Sequence, residues 1–322
     1  MSEFHVVPGV VADDILAAAR GRVVDIVTET YLLHDAGQSI NPDSYFLRFP
    51  DKPDSRIIAL PAYLGGSVDT AGIKWISSFP GNHDRGIPRA SAVLILNDYA
   101  TGRPYACLES AGISAARTAA SAAVAAAALA TAPRGVGFVG TGPIAGTIAR
   151  YLEQVGVPLD DVVCHDLEPA RADRFAGQFA AARTGGLADV LDQDLVVFAT
   201  TAGTPYVPAD TALRPGQVVL NVSLRDLAPE LLLRANNVVD DVDHCLKAQT
   251  SPHLAEQLTG SRDFVNGTLG QVLRGDIKLD PELPTVFSPF GLGVLDIAVG
   301  TVVLHEARQA GRAIAIPGFF GA

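Results

Sequence analysis

The segment at 134–156, which reads RGVGFVGTGPIAGTIARYLEQVG, limits the possible folds more than any other part of the chain. A short apolar run, Val136–Val139, leads directly into a glycine-rich turn, and a stretch with helical periodicity follows. This strand–turn–helix order is typical of a dinucleotide-binding βαβ unit. Gly140 permits the tight turn, Gly142 lets the backbone approach a pyrophosphate, and Ala145 replaces the third glycine where helix meets strand. The N-terminus of that helix would then face the phosphates.

An acid ends the next apolar run, VVCHDL, and indicates which dinucleotide would bind. Asp166 is placed to accept hydrogen bonds from the ribose hydroxyls of an adenosine. Its charge, with Glu168 close by, opposes a 2′-phosphate, so the sequence predicts NAD and not NADP. Arg171 is the opposing signal, because a guanidinium there could bind a 2′-phosphate. We interpret it as a solvated arginine at the start of a helix.

The rest of the chain has two different patterns. Continuous apolar runs, typical of strands buried on both faces of a parallel sheet, lie at 161–167, 194–201, 217–223 and 237–242. Mixed helical and strand-like runs, typical of an α+β domain, lie at 13–30, 56–64, 71–79 and 91–98. We therefore predict an α/β protein with a doubly wound parallel-sheet (Rossmann) nucleotide domain and an α+β substrate and dimerisation domain completed by the C-terminal helix. The predicted boundaries are 116–290 for the first, and 1–115 with 291–322 for the second.

Composition narrows the class of partner. The net charge is −11 at pH 7 and no Lys/Arg run exists, which argues against nucleic acid and against anionic membrane surfaces. The three cysteines are widely spaced, so neither a disulfide framework nor a zinc site is predicted. The opening MSEFHVVPGVVADD is unlike a signal peptide. The alanine-rich run at 111–132 carries Arg117, so we interpret it as a buried helix of a cytoplasmic protein.

Three cations are unusual for the patterns around them. Lys74 lies in an apolar strand-like run, where a lysine either snorkels from an edge strand or meets an anion, and the pattern alone leaves both open. Arg117 lies on an alanine-rich helix, which favours a guanidinium that binds an anion over one in a surface ion pair. Arg48 is a weaker signal, because a polar residue in a loop is ordinary.

The pattern around the acidic residues also leaves two possible roles open for each of them. Asp226 follows the run VVLNVS, at the carboxyl end of a strand where open α/β sheets bind ligands. It could instead cap the helix that begins near Pro229. Glu109 and Asp296 are either helix caps or acids of the site.

Long motifs add a family resemblance: INPDSYFLRFPDKPDSRIIALPAYLGG, AGIKWISSFPGN, GIPRASAVLILNDYATGRPYACLE, SAARTAASAA and NVSLRDLAPE. With these motifs the chain resembles the ornithine cyclodeaminase/mu-crystallin family over essentially its whole length. It is most similar to the branch that forms 2,3-diaminopropionate for siderophore or antibiotic biosynthesis. The resemblance implies an NAD-dependent enzyme that acts on a small amino acid, needs no metal and is a homodimer.

By position, the resemblance also implies the residues of the site. The predicted catalytic residues are Asp226, Lys74 and Glu109. The predicted substrate-binding residues are Arg48, Lys74, Arg117 and Phe290. The predicted cofactor contacts are Arg117, Thr118, Gly140, Gly142, Pro143, Ile144, Ala145, Asp166, Thr200, Thr201, Ser223 and Gly291. The cyclodeaminase branch has a glycine pair before the acid and a serine near the C-terminal loop, but this chain has Leu224-Arg225 and Pro289 there.

The reaction that the resemblance implies is oxidative cleavage of N-(2-amino-2-carboxyethyl)-L-glutamate. Hydride leaves the glutamate Cα, and the resulting imine is hydrolysed to 2-oxoglutarate and 2,3-diaminopropionate. The alternatives are cyclodeamination of ornithine or lysine with NAD recycled, reduction of an imine or ketimine, and a non-catalytic ligand-binding protein of the mu-crystallin type. The acid at Asp226, which the mu-crystallin branch lacks, favours an enzyme.

Overall fold

The structure is a computed structural model that describes residues 3–321, apart from the side chain of His83. The first elements are β1 (Phe4–Val7), α1 (Gly9–Ala18), α2 (Arg20–Asp35), β2 (Ser39–Ile40), β3 (Tyr45–Phe49), β4 (Lys52–Leu64), β5 (Thr70–Ser78), a 3-10 helix (Pro80–Arg85), β6 (Ala90–Asp98), β7 (Pro104–Glu109) and α3 (Ala111–Leu129). The next are β8 (Val136–Val139), α4 (Pro143–Gln154), β9 (Val162–His165), α5 (Pro169–Ala176), β10 (Ala182–Thr184), α6 (Leu187–Leu191), β11 (Leu195–Phe198) and β12 (Val218–Asn221). The last are α7 (Pro229–Leu232), β13 (Asn236–Val239), α8 (Val242–Cys245), α9 (Ser251–Thr259), β14 (Val265–Thr268), α10 (Leu269–Arg274), β15 (Thr285–Ser288), α11 (Gly293–Gln309) and β16 (Ile314–Ile316).

The chain forms two compact units. The first unit comprises the described residues up to Arg117 together with those from Leu292 onward, and the second unit is Thr118–Gly291. The first contains a mixed sheet and the second a parallel sheet, so the protein has the predicted α/β class with a Rossmann part and an α+β part.

The second unit is built on an eight-stranded sheet in which every pairing is parallel. The strand order is β10-β9-β8-β11-β12-β15-β13-β14, so the order along the sheet reverses at β8. Each residue of β8, β11, β12, β13 and β15 is buried, as predicted for strands covered on both faces. The sequence did not indicate β14 or β15. β15 is only four residues long and follows Pro284 directly, yet it pairs with both β12 and β13.

The first unit is built on a mixed sheet with the order β16-β1-β7-β6-β5-β4-β2, and β3 pairs with β4. Helix α11 packs on the face of β4, β5 and β6 that carries Lys74, and α1 and α2 contact α11. The helix predicted at 13–30 is two helices, because Ala19 leaves the helical conformation with φ −107° and ψ 24°.

Helix α3 is the alanine-rich run of the sequence. Its length and hydropathy would allow a membrane crossing, and 56% of its most apolar stretch is buried inside the protein. Ala119, Ala120, Ala122, Ala123 and Ala125 are all fully buried. Such burial is the behaviour of a core helix.

Candidate functional site

A buried ion cluster in the first unit joins two of the predicted cations to one acid. Lys74 on β5 is 1% exposed, and Asp296, in the first turn of α11, is fully buried. The Lys74 Nζ donates to Asp296 Oδ2 at 2.7 Å and to Ser114 Oγ at 3.1 Å, and Arg117 Nε lies 3.3 Å from Asp296 Oδ1. Lys74 is therefore not a snorkelling edge residue. Because two cations share one carboxylate, the protonated cluster can bind one further anionic group.

The buried position changes how readily Lys74 loses its proton. Burial lowers the pKa of Lys74 to about 8, and the positive charge of Arg117 acts in the same direction. The carboxylate of Asp296 opposes this shift but does not cancel it. The ammonium is therefore charged at neutral pH and titrates just above it.

Arg48 faces a second arginine that the sequence did not indicate. In the antiparallel pair of β3 and β4, Arg48 lies directly opposite Arg56, and Arg56 in turn lies opposite Ser78 on β5. Residues opposite one another share a face, and Lys74 is four residues before Ser78, so it lies on that face too. The two arginines are thus roughly 13 Å from Lys74 along the strand. A register shift next to Arg48 accompanies this arrangement, as bulges near functional side chains often do.

Glu109 has the contacts of a helix cap. Its Oε1 accepts a hydrogen bond from the backbone N–H of Ala111 at 2.9 Å, at the first residue of α3. The side chain also packs against Gly9. These contacts match the capping alternative that the sequence left open.

The turn between β8 and α4 has the features that a dinucleotide pyrophosphate requires. Gly140 has φ +82°, and a Cβ there would lie 2.6 Å from the carbonyl oxygen of Ala199. Gly142 precedes α4 in extended conformation, and a Cβ there would meet nothing within 4 Å. Pro143 opens the helix and Ala145 is fully buried. The helix N-terminus has no side-chain cap, so its N–H groups can bind phosphate oxygens.

Asp166 is held to this turn by hydrogen bonds. Its Oδ2 accepts from the N–H and the hydroxyl of Thr141 at 2.8 and 2.9 Å, and its Oδ1 accepts from the N–H of Glu168 at 2.9 Å. Burial raises the pKa of Asp166, but these hydrogen bonds and Arg171 together lower it below its ordinary value. One of about four acceptor positions of the carboxylate is left for a ribose hydroxyl. Arg171 pairs with Glu168 at 2.9 Å on the surface, as predicted for a solvated arginine.

Three other predicted cofactor contacts are at least partly exposed. They lie on α3, on α4 and in the loop after β11, and they are Thr118, Ile144 and Thr201.

Asp226 lies beyond the carboxyl end of β12, and three hydroxyl groups bind its carboxylate. Its Oδ1 accepts from Thr200 Oγ1 at 2.5 Å and from Tyr206 Oη at 2.9 Å, and its Oδ2 accepts from Ser223 Oγ at 2.5 Å. The carboxylate is fully buried. Helix α7 begins after Ala228 without a side-chain cap, so Asp226 does not cap it.

The turn that carries Asp226 is strained. Leu224 has φ +79°, a conformation that costs a residue with a Cβ about 1–2 kcal/mol. The Leu224 carbonyl accepts from the N–H of Ser251 at 2.7 Å, and the Arg225 guanidinium donates to the Ala248 carbonyl at 2.6 and 3.2 Å. These contacts with the surrounding structure hold the strained turn in place.

Phe290 and Gly291 are bound by an acid that the sequence analysis missed. Asp240, which directly follows β13 and is 1% exposed, accepts from the N–H of Phe290 at 2.9 Å and from the N–H of Gly291 at 2.6 Å. Burial raises the pKa of Asp240, although the hydrogen bonds oppose the shift. The two adjacent acids in the run NVVDDV were the available signal.

Other features of the structure do not mark a site. A cleft of the second unit lies at the amino ends of β11, β12 and β15, lined by Asp194, Arg214, Gln217 and Thr285. Ligands of parallel sheets bind at the opposite, carboxyl ends. Among the described side chains, which exclude that of His83, no group of three or more His, Cys, Asp or Glu residues is arranged to hold a metal ion.

Fold and site together define a two-part α/β protein with a dinucleotide turn and a buried cluster of two cations around one carboxylate. The model of the ornithine cyclodeaminase/mu-crystallin family matches residues 16–311, so the chain belongs to that family. The resemblance found in the sequence is thereby confirmed.

Particular relatives refine this assignment. The N-((2S)-2-amino-2-carboxyethyl)-L-glutamate dehydrogenase of Staphylococcus aureus is 29% identical over 89% of this chain and 90% of that protein. The alanine dehydrogenase of Archaeoglobus fulgidus is 30% identical over 88% of this chain and 89% of that protein. A solved archaeal alanine dehydrogenase dimer with bound NAD has a TM-score of 0.89 and 26% identity, covering 98% of this chain and 100% of that one. Δ1-Pyrroline-2-carboxylate reductases are also among the relatives.

Proposed function

We propose that the protein is an NAD-dependent dehydrogenase that cleaves N-(2-amino-2-carboxyethyl)-L-glutamate to 2-oxoglutarate and 2,3-diaminopropionate. One observation carries this choice of substrate: Arg48, Arg56 and Lys74 share one face of one sheet, and Arg117 is joined to Lys74 through Asp296. Such a set of cations suits a substrate with several carboxylates. The glutamate conjugate carries three carboxylates, whereas ornithine and alanine carry one each.

The proposed cofactor follows from the β8–α4 turn and from the NAD-bound relative. The uncapped N-terminus of α4 would bind the pyrophosphate, with Gly142 allowing its approach. Asp166 would accept a ribose hydroxyl and repel a 2′-phosphate. NAD, when bound, accepts the hydride from the glutamate Cα.

The side chains supply binding, orientation and proton transfer. The Lys74 and Arg117 cluster would hold one carboxylate, and the Arg48 and Arg56 pair would hold another, which fixes the orientation of the carbon that is oxidised. Asp226 would take the proton from the amine or from the water that attacks the imine. Collapse of the carbinolamine then breaks the carbon–nitrogen bond. We propose that the 2,3-diaminopropionate is formed in the cytoplasm and serves as a precursor of a siderophore or an antibiotic.

The substrate is tested by supplying NAD with the glutamate conjugate, ornithine or alanine, and recording NADH absorbance together with the masses of the products. We expect one NADH and one 2-oxoglutarate per conjugate consumed. Proline and ammonia from ornithine without net NADH, or faster oxidation of alanine, would contradict the proposal and favour the corresponding relative's activity.

The second-carboxylate role of Arg56 has its own test. Arg56→Gln should raise KM for the conjugate roughly tenfold or more, the scale for losing a charged partner of a carboxylate. Arg183→Gln is the control, because Arg183 forms only a surface ion pair with Asp161. An unchanged KM in Arg56→Gln would show that Arg56 does not bind a second carboxylate of the substrate.

We also propose that the protein is a homodimer that associates through the open face of its mixed sheet. The residues Tyr45, Ala59, Trp75 and Val93 form one cross-strand row on the face opposite α11. Tyr45 is 70%, Trp75 41% and Val93 38% exposed, an apolar surface of the kind that protein partners cover. Val93→Glu should give a monomer in sedimentation, and Val10→Glu, at an exposed valine of α1, should stay a dimer. A dimeric Val93→Glu variant would exclude this face.

A further inference from the structure

The second unit contains a tyrosine that the proposed reaction does not yet use. Tyr206 lies in the loop after β11, and its Oη donates to Asp226 Oδ1 at 2.9 Å. The Asp226 carboxylate is fully buried and also accepts hydrogen bonds from Thr200 and Ser223. Three of about four acceptor positions are occupied and the carboxylate has no exposed surface, so a substrate or a water molecule outside the unit does not contact Asp226 directly in this arrangement.

The backbone fixes Tyr206 beside this acid. The N–H groups of Tyr206 and Val207 both donate to the carbonyl oxygen of Asp226, at 3.0 and 2.9 Å. Val207 also pairs with Leu227 in a short parallel bridge. The phenol is thus held within hydrogen-bond distance of the acid by main-chain contacts and not by its side chain alone.

Tyr206 differs from the other two hydroxyl residues in its access to the surroundings. It is 41% exposed, whereas Thr200 and Ser223 are half-buried. The hydroxyl of Thr200 also accepts a hydrogen bond from the N–H of Ala202 at 3.1 Å, which ties it to its own loop. Tyr206 is therefore the most exposed of the three residues whose hydroxyls bind the buried acid.

We propose that Tyr206 is a further catalytic residue, which carries the proton between Asp226 and the reacting amine or water. The proposal rests on the proposed function. As the amine or the water gives a proton to Tyr206 Oη, the phenol O–H bond breaks and its proton passes to Asp226 Oδ1, so the tyrosine stays neutral. When the carbinolamine collapses, Asp226 returns the proton through Tyr206 to the departing nitrogen. Neither transfer oxidises or reduces any group.

The acidity of Tyr206 suits this role. Burial raises the pKa of Tyr206, and the charge of Asp226 and the hydrogen bond to it raise it further. The phenol therefore stays protonated at any working pH. Such a group passes a proton on and does not act as a base by itself.

The variant that tests the proposal is Tyr206→Phe, which removes the hydroxyl and keeps the ring. Tyr63→Phe is the matched control, because Tyr63 Oη also donates to a carboxylate, Asp69 Oδ1, at 2.9 Å, but at the surface of the first unit. We expect kcat of Tyr206→Phe to fall roughly a hundredfold, the usual scale for a positioned proton carrier, while Tyr63→Phe is unchanged. The Kd of NAD, measured by calorimetry, should stay within about twofold of the wild type in both.

Rates in mixtures of H2O and D2O separate proton transfer from structural support. If two protons move in one step, a plot of the wild-type kcat against the deuterium fraction of the solvent should be curved. The same plot for Tyr206→Phe should be a straight line. Three results would overturn the proposal: a kcat of Tyr206→Phe within about threefold of the wild type, a lowered kcat with unchanged curvature, or a straight line in the wild type.

The choice of substrate in the assay separates the role of Tyr206 from the identity of the natural substrate. The assay is run with whichever of the glutamate conjugate, alanine or Δ1-pyrroline-2-carboxylate the protein converts, since each reaction moves a proton at nitrogen or at water. Conversion of another substrate would refute the proposed substrate and leave the role of Tyr206 testable. Absence of turnover with all three would contradict both proposals.

Discussion

Asp296 determines how much charge the Lys74 cluster carries. A single fully buried carboxylate binds both Lys74 and Arg117, which leaves one positive charge for a ligand. Removing one partner of a buried ion pair typically costs about 3–5 kcal/mol, because the remaining charge is left without compensation. The sequence did not reveal this role, since Asp296 lies in the first turn of a helix, where an acid is ordinary.

We predict that anion binding by this cluster weakens above pH 8. Because the pKa of Lys74 is lowered to about 8, its charge is lost where an ordinary lysine keeps it. The inhibition constant of 2-oxoglutarate, which has no amine to titrate, should rise about tenfold between neutral pH and roughly pH 9.5. Lys74→Arg should abolish this rise, since arginine stays charged. A constant that does not change with pH in the wild type would contradict the assignment.

The lowered pKa of Lys74 also determines how the free energy of unfolding changes with pH. Between pH 8 and the ordinary lysine pKa of 10.5, the unfolded chain binds more protons at Lys74 than the folded one. The Lys74 contribution to the free energy of unfolding therefore increases with pH across that window. Comparison of urea unfolding of the wild type and Lys74→Met isolates this contribution.

Asp226→Asn tests the acid itself. The change is nearly isosteric, so fold and NAD affinity should be kept while kcat falls roughly a hundredfold or more. The measurement is kcat together with the Kd of NAD. Activity within a few-fold of the wild type would show that Asp226 has only a structural role, and Glu109 would then be the next acid to examine.

At the scale of elements, the strand–turn–helix unit was the most predictable part. β8 was predicted residue for residue, because glycine spacing after an apolar run has few other structural solutions. β15 could not be predicted in the same way, since a four-residue strand buried on both faces has no alternation and follows a proline. Tyr206 was missed because it lies between Pro205 and Pro208, in a loop whose contacts with Asp226 depend on the fold.

The register of the β3–β4 pairing also could not be predicted from the sequence. Arg48 and Arg56 meet only because the β3–β4 pairing shifts by a bulge next to Arg48. A shift of one residue would have put Arg56 on the opposite face. Leu224 is a different case, because its positive φ is a conformation that glycine adopts freely and that the sequence around a leucine does not predict.

The β8–α4 turn gives a prediction that separates folding from binding. Gly140→Ala should lower the free energy of unfolding by about 1–3 kcal/mol, because the added Cβ would be strained and would clash with Ala199. Gly142→Ala should change it by no more than about 0.5 kcal/mol, since the space is open, but should weaken NAD binding. Urea unfolding and calorimetry measure the two effects. Unchanged NAD affinity in Gly142→Ala would mean that the pyrophosphate does not approach this backbone.

At the scale of the whole molecule, the fluorescence of a tryptophan on the open sheet face can show whether two copies associate through that face. Trp75 is the one tryptophan of the sequence and lies in the exposed row with Tyr45 and Val93. If this face joins two copies, tryptophan emission should lie at shorter wavelength in the dimer and shift to longer wavelength on dilution. The shift should follow the monomer fraction measured by sedimentation. Emission that does not change while the dimer dissociates would place the interface elsewhere.

In the proposed reaction, the glutamate Cα–H bond of a glutamate–diaminopropionate conjugate is the bond that is oxidised. The most direct measurement uses the conjugate with deuterium at that carbon and records the mass of the reduced cofactor and of both products. We expect the deuterium to move to the cofactor, and unlabelled 2-oxoglutarate and 2,3-diaminopropionate to be released in equal amounts. Deuterium retained in either product, or no consumption of the conjugate, would contradict it.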